Sequence, residues 1–118
     1  MALSAPASVR RAFRHGLTLH AAGFGGAGLR PATVACARQL AEGAPITLSK
    51  ARKMRAWFAR HGAAGAESAR RQDDPFSPAA VAWLLWGGNP AIPFQHDGWP
   101  DPVARWIDRA LAVFERPT

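Results

Sequence analysis

The sequence predicts an all-α fold, a compact bundle of about five short helices in a single domain spanning 1–118, and three observations carry that expectation. Apolar residues recur at three- and four-residue steps in one segment after another. These segments are bounded by helix punctuation, with proline or a hydroxyl residue at their starts and glycine at their ends. No stretch alternates apolar with polar residues, tyrosine is absent, and Val, Ile and Thr are sparse, so strands have little to build on. The 118 residues, 48% hydrophobic and 19% charged, match the size and composition of one folded domain.

The first helix follows Pro6 and Ser8. Val9, Phe13, Leu17 and His20 lie along one face, Arg10, Arg11 and Arg14 lie off it, and Gly23 stops the run. Residues 23–28 hold four glycines in six positions. They lack the lysine and hydroxyl residue of a phosphate-cradling loop and follow no strand, so they read as a connector. The N-terminal part is therefore 1–28, a helix plus its Gly-rich connector.

A second helix starts near Pro31, where a missing N–H costs nothing. Its inner stripe is Val34, Ala37, Leu40 and Ala41, and Gly43 provides a left-handed exit. Thr47 is placed to cap a third helix over 48–61, with Ile46 one residue earlier as a hydrophobic staple. Leu48, Ala51, Met54, Trp57, Phe58 and His61 should face inward. Lys50, Arg52, Lys53, Arg55 and Arg60 cover the rest.

After a polar connector over 63–76, Ser77 and Pro78 open a helix running through Trp86 that is apolar on every side, and it should be the most buried. Gly87 and Gly88 end it. Residues 89–100 form a loop with three prolines, and Asp101 and Pro102 open a last helix with Val103, Trp106, Ile107, Ala110 and Phe114 as its stripe. The C-terminal part is thus 91–118, a loop and a helix.

Charge is distributed unevenly. The net charge is +7, and thirteen of the fifteen basic residues are arginine. Residues 1–71 carry twelve Lys/Arg against Glu42 and Glu67, whereas 72–118 carry three Arg against six Asp/Glu. Helix 48–61 contains no acid at all, although mixed signs at i,i+4 would stabilise a merely solvated helix. Arginine offers phosphate a planar fork of donors, although a GC-rich genome produces the same arginine bias. The first 41 residues also lack acids, as transit peptides do. Their helical core positions lead us to expect them inside the domain instead. No apolar run is long enough to span a bilayer, and no secretory block is present.

The segments 50–61 (KARKMRAWFARH) and 77–90 (SPAAVAWLLWGGNP), with 29–41 (LRPATVACARQLA) upstream, resemble a small helical module of tailed-phage and prophage proteins. That module is found with head-maturation proteases and other virion-assembly proteins. The resemblance covers 29–90 and implies a phage or prophage origin, with a cytoplasmic or virion setting. It supplies no catalytic residues. Gly62 and the following small residues stand where the module usually has an acidic, lysine-bearing connector.

Two functions follow as expectations. The first is nucleic-acid binding, with DNA ahead of RNA. Helix 31–42, a short turn and basic helix 48–61 have the lengths of a helix-turn-helix unit, although antiparallel helix pairs with short turns are also common in small α-domains. On this reading Lys50, Arg52, Lys53 and Arg55 reach phosphates or base edges, and Arg60, Arg70 and Arg71 extend the phosphate footprint. The second is a structural adaptor that binds another virion protein through Phe94 and Trp99, aromatics set among prolines.

No enzyme is expected. His15, His20, His61 and His96 show no metal-ligand spacing, and Cys36 is the only cysteine. His61 suits a helix C-terminus as a capping cation. Asp73 and Asp74 precede Pro75 as turn formers do, and His96 with Asp97 and Asp101 is the one other polar cluster. No catalytic residue, metal or cofactor is assigned. Trp57, Trp83, Trp86 and Trp106 are expected in the core rather than as stacking platforms for bases.

Overall fold

A computed structural model describes residues 3–26, 29–61, 74, 76–88 and 102–116. They form five helices: α1 (Ala7–Ala21), α2 (Pro31–Ala41), α3 (Leu48–His61), α4 (Pro78–Leu85) and α5 (Pro102–Phe114). Among the described residues there is no strand, only an isolated antiparallel bridge between Ser4 and Pro45. The all-α bundle expected from the sequence is the fold.

Local chemistry sets each boundary. The Thr47 hydroxyl accepts from the Lys50 N–H at 3.1 Å, and the Ser77 hydroxyl accepts from the Ala80 N–H at 3.2 Å, each satisfying a donor that its helix leaves open. At the other end of α2, Gly43 adopts φ +100°. The N–H groups of Gly43 and Ala44 then turn back to the carbonyls of Leu40 and Gln39. Gly87 closes α4 in the same way at φ +95°, with Gly88 bonded to the Trp83 carbonyl.

Packing places α1 against both α2 and α4, and α3 against α5. Helix α4 lies at the centre, with Val81, Trp83, Leu84 and Leu85 buried as its all-round apolarity predicts. The stripes of α2 and α5 fall where expected, with Ala37, Leu40 and Ala41 inside, and Val103, Trp106, Ile107 and Ala110 inside. The buried face of α1 is rotated from the expected one. Val9, Ala12, Phe13, Gly16 and Leu19 are buried, and Leu17 is only partly so. Gly16 explains the shift: a Cβ there would stand 2.9 Å from Leu84 Cβ and 3.0 Å from the Leu85 nitrogen. The close α1–α4 approach needs a residue with no side chain, and hydrophobic periodicity gives glycine no weight.

The N-terminal residues clamp the turn between α2 and α3. Ser4 donates its hydroxyl to the Gly43 carbonyl at 2.8 Å, and the Ile46 N–H donates to the Leu3 carbonyl at 3.0 Å. The Trp106 indole N–H donates to the same Leu3 carbonyl at 3.2 Å. Two arginines off the apolar face of α1 are spent on backbone. Arg10 donates to the Ala5 carbonyl, and Arg14 donates to that of Ala41, at the negative end of α2.

Candidate functional site

Helical spacing divides the cations of α3 into two stripes flanking its buried face of Ala51, Met54 and Phe58. Lys50, Lys53 and Arg60, with Trp57 among them, lie on one side. Arg52 and Arg55 lie on the other. The surface expected to act as a unit therefore meets two different neighbours.

The Arg52–Arg55 side faces α5, which carries acids. Arg55 Nη1 lies 2.8 Å from Asp108 Oδ1, and Arg52 Nη2 lies 3.8 Å from Glu115 Oε1. The side chains are about half exposed, so these pairs add little to stability and can exchange for another anion. They nevertheless account in part for the missing acids of α3. Its counter-charges come from across the bundle, beyond the reach of an i,i+4 argument.

The other stripe borders an open cleft of about 700 Å³ between α3 and the first turns of α2. Arg30, Lys50, Lys53 and Arg60 contribute four cations to it, and none of its described lining residues is acidic. Arg30 stands at the N-cap of α2, which has no side-chain cap, so the positive end of that helix dipole adds to the field. The aromatic wall is Trp57 stacked on Trp86, with centroids 5.1 Å apart and ring planes 11° from parallel.

Lys50 behaves differently from its neighbours on the rim. Its ammonium sits 3.9 Å from the centroid of the Trp86 ring. Burial lowers its pKa from the ordinary 10.5, opposed by interaction with the Cys36 thiol, while the nearby Lys53 charge adds to the lowering.

Trp83 and Trp106 are in the core as expected, but Trp57 and Trp86 are only partly buried and line the cleft. The reason for Trp86 is helical spacing: its N–H still bonds to the Ala82 carbonyl, so it continues the α4 spiral on the side of Ala82, which is itself only partly buried. Trp57 sits on the cleft-side stripe of α3, next to its buried face. Sequence reasoning also missed Arg30 and Cys36 as neighbours of the basic helix. The recurrence of Lys50, Lys53, Trp57 and Arg60 on one stripe was the legible signal.

Helices α2 and α3 follow each other through a short turn, as a helix-turn-helix unit requires. Each nevertheless takes its main packing partner elsewhere, and the cleft opens between them. Arg70, Arg71, Phe94 and Trp99 lie outside the described residues, as do Asp73, His96, Asp97, Asp101 and the side chain of His61. Asp74 accepts from the Phe76 N–H at 3.0 Å, the behaviour expected of a turn former. Among the described residues, no group of three or more His, Cys, Asp or Glu could hold a metal ion, and no helix is long and apolar enough to cross a membrane. No family model, curated protein or solved structure matches this chain.

Proposed function

We propose that this chain is a non-enzymatic nucleic-acid-binding module, of phage or prophage origin, that holds the phosphates of DNA at the α2–α3 cleft. One observation carries the reading. Arg30, Lys50, Lys53 and Arg60 converge on a single concavity with no acid among its described lining residues, whereas Arg52 and Arg55 already have acidic partners. Such a field attracts polyanions and gives affinity with steep salt dependence. Asp108 and Glu115 hold Arg52 and Arg55 back from the footprint, and Arg70 and Arg71 are expected to extend it.

The test is a gel shift on a 20-base-pair duplex and on a single strand across a salt titration. Lys53→Glu with Arg60→Glu is expected to lower affinity at least about tenfold and to flatten the salt slope. Unchanged affinity for both probes would overturn the proposal.

A second reading, an adaptor that binds another virion protein, is favoured by an exposed aromatic pair. Phe24 and Phe76 have ring centroids 5.0 Å apart and are 41% and 51% exposed. They are the described anchors of such a contact, and the expected anchors Phe94 and Trp99 lie outside the described residues. Phe24→Ser with Phe76→Ser separates the readings, because it impairs the adaptor and leaves DNA affinity intact.

A further inference from the structure

We propose that the α2–α3 cleft receives one unpaired nucleotide, its base on the Trp86 ring beside Trp57 and its phosphate among Arg30, Lys53 and Arg60. The inference rests on the nucleic-acid reading and deepens it, by naming the form of the polymer that the site prefers. A concavity of about 700 Å³ falls within the range of small-ligand pockets, roughly 300–1,000 Å³. A duplex offers such a pocket only its outer phosphates, because its bases are stacked inside. A strand with free bases can place one in it.

The contents of the cleft match the two halves of a nucleotide. Aromatic surface and cations are the combination used to hold single strands, the ring meeting the base and the charges meeting the backbone. Here Trp57 and Trp86 are stacked nearly parallel. Lys50 lies over the Trp86 ring, on which Trp57 also stacks. Lys50 thus occupies the place a base would take.

Its hold on that place is weak for a physical reason. Burial disfavours its charged form, and the ring contact and the interaction with Cys36 offset that cost in part. A flat, uncharged base covers Trp86 without a charge to desolvate. The flexible four-carbon stem then lets the ammonium swing toward the incoming phosphate. Lys50 therefore acts as a displaceable plug, one that keeps the aromatic face covered until a ligand brings both a ring and an anion.

The experiment uses the full chain and two probes of equal charge: an eight-nucleotide thymidine strand, and a strand of the same length whose sugars are abasic. Fluorescence anisotropy reads affinity, and tryptophan emission reads the ring contact. The thymidine strand is expected to bind about tenfold more tightly or better and to quench emission. Trp86→Leu removes the proposed stacking face and is expected to erase that preference while phosphate binding persists. Equal affinity for the two probes would overturn the inference and leave phosphate binding standing. A preference that survives Trp86→Leu would place the base elsewhere and overturn it too. Failure to bind either probe or a duplex would overturn the underlying reading with it.

Discussion

The ammonium of Lys50 on α3 lies 3.9 Å from the ring centroid of Trp86, the C-cap of α4. The contact joins a helix from the basic half of the chain to the apolar central helix, across the wall of the cleft. It also fixes what Lys50 can do: a lysine over a ring and partly out of water is not a freely solvated phosphate contact.

Lys50 gives folding stability a pH dependence. Its folded pKa is lowered from 10.5, chiefly by burial, so the unfolded chain binds its proton more tightly. Below the folded pKa the protonated group carries the full burial penalty. As pH rises through that value toward 10.5 the penalty is relieved and stability rises. Urea midpoints of the parent, measured relative to Lys50→Met so that groups not coupled to Lys50 cancel, should increase over this interval. A flat or falling difference would show that the ammonium suffers no burial cost.

Freeing the paired arginines should strengthen binding to DNA. Asp108→Asn with Glu115→Gln releases Arg55 and Arg52 without touching α3. The slope of log affinity against log salt should steepen by about one to two, as expected for one or two added phosphate contacts. Thermal stability should hardly change, because exposed pairs contribute little. An unaltered slope would mean that this side of α3 stays off the nucleic acid.

Gly16→Ala tests the α1–α4 approach. Alanine gains about 1 kcal/mol in helix propensity over glycine. The added Cβ, however, would meet Leu84 Cβ and the Leu85 backbone nitrogen at about 3 Å, neither of which is a flexible side-chain end. Overpacking of this kind costs about 1–3 kcal/mol. The variant should unfold at a lower denaturant midpoint than the parent; a higher midpoint would show that the helices can separate without loss.

Ser77→Ala should destabilise the fold by about 1 kcal/mol, the usual cost of removing an N-cap. Ser77 is 4% exposed, so water has little access to the Ala80 N–H left behind. The matching Thr47→Ala change lies at an exposed cap and should cost less in the same denaturation assay.

The helices were legible because their signals are local. Thr47 and Ser77 cap what they precede, Gly43 and Gly87 end what they follow, and the stripes of α2, α3 and α5 repeat at the helical period. Errors arose where a neighbour mattered. Gly16 is buried because α4 comes close, and Trp86 borders the cleft because the side of α4 that it shares with Ala82 is only partly covered.

The candidate site was half legible. That helix 48–61 is cationic and acid-free can be read directly from its residues. That its cations part into a pair bound to Asp108 and Glu115 and a group around a cleft with Arg30 cannot. The amino-acid sequence by itself determined which segments are helical, where each one stops and which half carries positive charge. Only the tertiary structure decided which of those charges are answered by other parts of the chain and which face open space. The reason is that capping and periodicity act over a few residues, whereas a charge is neutralised by whatever helix docks beside it, at any distance along the chain.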